Sequence, residues 1–322
     1  MKTAFITGIA GQDGSYLAEF LLEQGYRIVG TVLNLREIPD VFPGGLLKRV
    51  ELLEWDMFNC RAIEEILSGY QPAEIYNYAA YSSGEQMFED PLGMGEINGL
   101  AVTRILEAIR KVNTQIHFCQ ASSSEMFGEA YQTPQTEETP FKPRSPYGAA
   151  KLYAHSMINI YRKRYGLFAC SAILFNHESQ RRGLGFVTRK VVDEAVRIKL
   201  GLASELSLGN LDACRDWGFA GDYVRAMWLM LQQPTAADYI VATGQTHTVR
   251  ELCEVAFGRL GLDYRKYVRK DASAYRPLEK VQLVGNAEKA KKELSWEPRI
   301  EFSEMINMMV DAQMEKLNVP KN

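Results

Sequence analysis

An α/β fold is what this 322-residue chain predicts: a doubly wound parallel sheet with a smaller C-terminal lobe interleaved into it. Three observations carry that expectation. A glycine-rich turn, Thr7-Gly8-Ile9-Ala10-Gly11-Gln12-Asp13-Gly14, stands between a short apolar run and a helical one. Strand patterns then alternate with helical patterns through the first half, which implies a parallel sheet with helices on both faces. After Asn176 the rhythm changes and helices dominate.

Taken in order, the first strand is Thr3-Ala4-Phe5-Ile6, read as buried rather than as part of a signal peptide, and a helix runs from Ser15 to Gln24. The glycines between them fall as G-x-x-G-x-x-G, at Gly8, Gly11 and Gly14. Glycine permits the tight turn and a close backbone approach, and the free N–H groups of the following helix favour an anion. An ordinary strand–turn–helix corner would read similarly. The N-terminal position and the βαβ pattern behind it favour the pyrophosphate cradle of a Rossmann-type unit. Further strands are expected at Arg27–Val32, Val50–Glu54, Glu74–Asn77, Ile116–Gln120 and Phe168–Ile173, and helices at Cys60–Ser68, Gly95–Val112 and Pro146–Tyr165.

Thr133–Pro146 reads as a loop crossing the active-site side. Beyond Asn176 come an Arg/Gly-rich loop, Arg181–Gly185, and a helix at Val187–Leu200. A helix at Asp222–Gln232 and a strand at Tyr239–Thr243 return to the sheet. Val249–Leu260, Asn286–Leu294 and Ser303–Lys316 complete the tail as helices. The expected division is a dinucleotide-binding domain over 1–175, with a return segment near 211–243. A smaller substrate lobe is expected from 176–210 and 244–322.

A 46% hydrophobic and 24% charged composition is that of an ordinary globular chain. The net charge of −3 gives no electrostatic case for nucleic acid or an anionic membrane. No apolar run approaches the ~20 residues needed to span a bilayer. The five cysteines and four histidines are dispersed, so neither a disulfide framework nor a metal site is expected, and a cytoplasmic location is the default.

Tyr147 and Lys151 stand four apart behind Ser145-Pro146, where proline suits a first helical turn. The spacing stacks both side chains on one helix face. A nearby ammonium is expected to make the phenol more acidic, so that Tyr147 can take a proton from a sugar hydroxyl. A surface Tyr–Lys pair is the plainer alternative. The strand end Gln120-Ala121-Ser122-Ser123-Ser124-Glu125 offers a hydroxyl for the same substrate oxygen and a carboxylate beside it. Simple oxidation at carbon needs no such carboxylate. Removing a proton from carbon or expelling a hydroxyl does. A capping or solvent-facing acid would explain Glu125 otherwise.

These motifs resemble the extended short-chain dehydrogenase/reductase superfamily. Longer strings are similar to the GDP-mannose 4,6-dehydratase family within it: Gly11–Leu17, Ser145–Tyr153, Asn176-His177-Glu178-Ser179 with Arg181-Arg182-Gly183, Leu208–Asp212, Arg215–Gly218, and Arg276-Pro277 with Glu279. The resemblance implies a hydro-lyase that converts GDP-mannose, or GDP-manno-heptose, to the 4-keto-6-deoxy sugar. A GDP-4-keto-6-deoxy-sugar reductase is the alternative. It implies Ser123, Glu125, Tyr147 and Lys151 as catalytic residues, and Gly8, Gly11, Gln12, Asp13 and Gly14 against the cofactor with Tyr147 and Lys151. Asn176 would hold the sugar side, Arg182, Arg215 and Arg276 the diphosphate and nucleotide, and Glu279 the ribose or base. Members pair through two long helices, here Gly95–Val112 and Pro146–Tyr165, so a homodimer is expected, with a tetramer as the alternative.

Three places depart from the family pattern. The arginine pair after strand two is replaced by Leu33 and Asn34, with Arg36 close by. Arg36 favours NADP over NAD, Asn34 would lie against the same ribose, and Asp56 after strand three would meet the adenine. Ser82 and Ser83 stand where the family has Ser-His beside the sugar, and the smaller residue leaves room for a larger sugar. Gln180 replaces the proline before the two arginines.

Overall fold

The computed structural model describes residues 1–39, 42–81, 88–271 and 281–318. Its strands are β1 (Thr3–Thr7), β2 (Arg27–Val32), β3 (Glu51–Glu54), β4 (Glu74–Asn77), β5 (His117–Ser123), β6 (Ala169–Leu174), β7 (Asn176–Glu178), β8 (Leu206–Leu208), β9 (Cys214–Arg215), β10 (Trp217–Phe219), β11 (Tyr239–Val241), β12 (His247–Thr248) and β13 (Val268–Lys270). The helices are α1 (Gln12–Glu23), α2 (Gly44–Leu47), α3 (Cys60–Tyr70), α4 (Pro91–Gly95), α5 (Ala101–Val112), α6 (Pro146–Tyr165), α7 (Val187–Lys199), α8 (Ala220–Leu231), α9 (Val249–Arg259), α10 (Glu288–Leu294) and α11 (Phe302–Asn318).

Seven strands form one sheet in the order β11-β6-β5-β4-β1-β2-β3, every pairing parallel. The chain winds outward from β1 in both directions, so the order reverses between β1 and β4. A crevice opens there beyond the carboxyl ends of the strands. Alternation along β1 shows why both faces are covered. Ala4 and Ile6 pack with Leu17 and Leu21 of α1 and Met227 of α8. Phe5 packs the other way, with Ile63 of α3, Ile105 of α5 and Ile158 of α6. A separate core joins α7, α9 and α11 to β8 through Val192, Leu206, Leu252 and Ile306.

Most boundaries fall where the sequence places them, and α6 matches residue for residue. Four features differ. First, α1 begins at Gln12, so Gly14 already lies inside the helix. Second, the helix expected from Gly95 starts at Pro91, with the Asp90 side chain accepting from Gly93 N. It passes through a wide π-helical turn at Glu96–Leu100 before continuing as α5. Third, the pairs β7–β10, β9–β12 and β8–β13 were not legible, because two or three residues are too short to alternate. Fourth, the middle of the loop at 133–146 covers the β11 edge. Glu137 accepts from Ile240 N at 2.9 Å, and Gln135 bonds to both Val284 and Asn286 backbone.

Candidate active site

The glycine turn is held by Gly11 N donating to Gly8 O at 3.0 Å, and Gly11 precedes α1 with no side chain capping it. Gly8 has a φ of +64°, and a Cβ there would stand 2.8 Å from Ala79 N of the loop after β4. The helix N-terminus therefore presents its first N–H groups without a protein acceptor from the cap residue. A Cβ at Gly11 would meet only Gly8 O within 4 Å, so any side chain would stand in the open space before the helix. That space and those donors fit a dinucleotide pyrophosphate.

The side chains of Gln12 and Asp13 turn away from this space. Gln12 donates to His177 O at 3.1 Å and accepts from the Ser179 hydroxyl at 2.8 Å. Asp13 accepts from Gln12 at 3.1 Å and pairs with His177 Nε2 at 3.0 Å. With the side chains so engaged, what these two residues offer the space before the helix is their backbone N–H groups. The side chains are committed to β7 because the helix packs directly on that strand's loop.

Ser123 ends β5, Glu125 lies in the single helical turn Ser124–Met126, and Tyr147 and Lys151 lie in the first two turns of α6. Ser145 caps α6, accepting from Gly148 N at 3.1 Å, worth about 1 kcal/mol. Gly148 brings the two elements together: a Cβ there would stand 2.5 Å from Glu125 O. The Ser123 hydroxyl accepts from Glu125 N at 3.2 Å and hydrogen-bonds the Tyr147 phenol.

Burial pushes the Tyr147 phenol up to about 12. The Ser123 bond and Arg182 pull it down, while Glu125 and Asp13 push it up. The acidified phenol expected from the sequence is thus not produced by the protein's own groups. Lys151 Nζ lies 5.6 Å from the centre of the Tyr147 ring, and Lys151 is itself a desolvated charge. It is buried, donates to Ala121 O at 2.8 Å, and has no carboxylate at ion-pair distance among the described residues. Burial lowers its ammonium to about 8, against a smaller opposing pull from Asp13.

A buried polar ladder underlies these groups. The Thr7 hydroxyl donates to Asn77, Asn77 donates to Gln120 at 2.6 Å, and Gln120 donates to the same Ala121 carbonyl that receives Lys151. The ladder crosses β1, β4 and β5 under the switch point and gives the buried Asn77 and Gln120 amides hydrogen-bond partners.

The remaining expected residues fall in three groups. Arg182 reaches the site: its charge acts on Tyr147 and Asp13, its Nε lies 3.0 Å from Glu178, and its guanidinium lies over the Phe186 ring. Asn176 opens β7 beside it, in register with Trp217. Arg215 sits in β9 and donates to Cys214 O at 2.7 Å. At the far end of the crevice, the Asn34 side chain accepts from Arg36 N at 2.9 Å, leaving the Arg36 side chain exposed. Asp56 is exposed too and accepts from Phe58 N at 3.0 Å. Ser82, Ser83, Arg276 and Glu279 lie outside the described residues.

Sequence reasoning missed several residues that shape the site. Asn98, in the π-helical turn, accepts from Tyr81 N and donates to Tyr81 O, both at 2.9 Å, and so clamps the loop after β4. Buried Asp216 accepts from Thr243 N, Thr243 Oγ1, Gly244 N and Gly285 N, joining the sheet edge to the second lobe. Gln180, already marked as a departure from the family pattern, accepts from Tyr16 OH at 2.7 Å, a contact the sequence did not show. No spacing rule marks such residues, because each partner is distant in the chain.

A dinucleotide cradle at the switch point, with Ser, Tyr and Lys converging beside it, defines an enzyme of the extended short-chain dehydrogenase/reductase class. The family model of GDP-mannose 4,6 dehydratase matches residues 5–309. GDP-mannose 4,6 dehydratase 1 of Arabidopsis thaliana is 46% identical over 326 residues, covering 98% of this chain and 90% of the relative. The Homo sapiens GDP-mannose 4,6 dehydratase is 41% identical over 351 residues, covering 100% of this chain and 94% of the relative. This chain belongs to the GDP-mannose 4,6 dehydratase family. The fold is shared more widely. A UDP-glucose 4-epimerase of Thermotoga maritima, solved with UDP-glucose, superposes with a TM-score of 0.87 at 23% identity over 98% of this chain and 100% of the other. A dTDP-glucose 4,6-dehydratase of Bacillus anthracis, solved with NAD, gives 0.86 at 21% identity over 99% and 98%.

Proposed function

We infer that this chain is a hydro-lyase that converts GDP-mannose, or its manno-heptose counterpart, to the GDP-4-keto-6-deoxy sugar. The observation that carries the chemistry is the placement of Glu125 within electrostatic reach of the Tyr147 phenol, which Ser123 also bonds. A reductase of the same class would use the serine, tyrosine and lysine but would have no task for that carboxylate.

A bound nicotinamide dinucleotide would supply reversible two-electron oxidation and reduction, and would end the cycle unchanged. Gly8, Gly11 and Gly14, with the backbone N–H groups of Gln12 and Asp13, would hold its pyrophosphate. Ser123 and Tyr147 bind the C4 hydroxyl, and Tyr147 accepts its proton as the phenolate, a form the protein's own groups disfavour and the positive charge of a bound nicotinamide would favour. Lys151, whose ammonium burial has brought to about 8, is a proton reservoir one turn along the same helix. The 4-ketone makes the C5 hydrogen acidic. Glu125 takes that proton and delivers it to the C6 hydroxyl, which leaves as water; when C6 is then reduced, C5 regains a proton, balancing the one that Tyr147 took from the C4 hydroxyl.

NADP is the proposed dinucleotide, on the exposed Arg36 beside the end of β2 and the Asn34 turn that orients it. The lobe of 176–210 and 244–322 would take the nucleotide sugar, with Asn176, Arg182, Arg215, Arg276 and Glu279 facing it and Ser82 and Ser83 bordering the sugar. A homodimer through α5 and α6 is supported by the exposed Tyr153 and Ile160 on the outer face of α6. Among the described residues no helix is long and apolar enough to cross a membrane.

The test is incubation of purified protein with GDP-mannose and no added cofactor. A 4-keto-6-deoxy product is expected. No product from GDP-mannose, together with reduction of a GDP-4-keto-6-deoxy sugar when reduced cofactor is added, would point to the reductase.

A further inference from the structure

His177 has an acceptor at each ring nitrogen. Nδ1 lies 2.7 Å from Phe175 O, and Nε2 lies 3.0 Å from a carboxylate oxygen of Asp13. A neutral imidazole carries one N–H, so it can serve only one of these acceptors. The geometry therefore calls for the doubly protonated imidazolium. Asp13 in turn lies in the first turn of α1, where the helix offers its positive end.

We propose that His177 is a positioning residue for the dinucleotide: its imidazolium neutralises Asp13, so that the α1 N-terminus keeps its attraction for a pyrophosphate, and the same contact fastens α1 to the strand that carries Asn176. The inference rests on the dinucleotide reading above and adds to it a residue that never touches the ligand.

The charges around the ring support this. Asp13 faces it from α1, and Arg182 and Glu178 from the β7 segment. Tyr223 of α8 stacks on it with centroids 4.8 Å apart. The Tyr78 hydroxyl after β4 is buried near Asp13 without a hydrogen-bond partner. Lys151 of α6 also feels Asp13. With His177 charged, the two acids Asp13 and Glu178 face three bases, His177, Arg182 and Lys151. With it neutral, Asp13 loses its nearest positive partner at the place where another anion must bind. Five residues of α1 reinforce the seam: Gln12, Asp13, Ser15, Tyr16 and Glu19 all bond to residues 177–181.

Burial disfavours the charged ring, but the Asp13 contact outweighs it and raises the histidine above its ordinary value of 6.5. The favourable contribution is therefore complete below that ordinary value and is lost as pH rises through the raised one.

The experiment is titration of NADP and NAD into cofactor-stripped protein between pH 6 and pH 9, for wild type, His177→Asn, Asp13→Asn and the double variant. Wild-type affinity is expected to fall on the alkaline side. His177→Asn is expected to bind about tenfold more weakly at pH 6, the size of one screened charge contact, with a shallower profile whose remaining slope belongs to Lys151. Asp13→Asn in the same chain is expected to recover most of that loss, because the stranded charge is gone. A wild-type profile that is flat over this range overturns the proposal even if His177→Asn does not fold. So does a double variant no better than His177→Asn alone. A wild type that binds neither dinucleotide removes the cofactor reading itself, and this inference with it.

Discussion

Lys151→Met is expected to make the unliganded protein more stable while removing most of its activity. The lysine is buried beneath Tyr147 and its ammonium falls from 10.5 to about 8. At 1.36 kcal/mol per pH unit, that gap is a cost of about 3 kcal/mol at neutral pH. The variant loses one hydrogen bond to Ala121 O, worth about 1 kcal/mol. A net gain of roughly 2 kcal/mol is left for methionine at pH 7. The sign has a pH signature. Below the folded value of about 8 the lysine is charged in both states, and the penalty applies in full. Between there and 10.5 the unfolded chain binds the extra proton, so wild-type stability rises with pH and the advantage of methionine disappears. Urea unfolding of both cofactor-stripped proteins at pH 7 and pH 10 measures this directly. A methionine variant less stable than wild type at pH 7, or an advantage of equal size at both pH values, would refute the reasoning.

Glu125→Gln should still oxidise C4 but lose water at least about a hundredfold more slowly, with the 4-keto sugar detectable by mass before dehydration; full dehydration at the normal rate would remove Glu125 from the mechanism. Gly148→Ala puts a methyl 2.5 Å from Glu125 O and should separate the acid from Tyr147. Turnover should fall with little change in KM, and an unchanged kcat would show that the two elements need not touch. Asp216→Ala strands three backbone N–H groups, those of Thr243, Gly244 and Gly285. It should lower stability by about 3 kcal/mol or more, read by thermal unfolding.

Much of the fold was legible because long periodic segments announce themselves. The 20 residues of α6 carry a serine cap, a proline at the first position and a glycine just past the end, and the structure follows all three. The start of α1 misled, because Gln12, Asp13 and Gly14 look like loop residues. Packing on β7, through Gln12 and Asp13, makes them helical. In the site, Ser123, Glu125, Tyr147 and Lys151 share a local grammar of strand end and helix start, so their convergence could be anticipated. The state of the tyrosine could not, since spacing brings an ammonium near the ring but says nothing about how much water both groups lose.

By itself, then, the chain's order of residues determined what local interactions determine: where backbone hydrogen bonds close into helices and strands, where glycine is required, and which side chains share one face. Only the tertiary structure decided the charges. Burial raised Tyr147 and lowered Lys151, and contacts across 164 residues joined Asp13 to His177. A charge responds to everything within several ångströms of it, whatever its position in the chain, so its energy is settled only when distant segments meet.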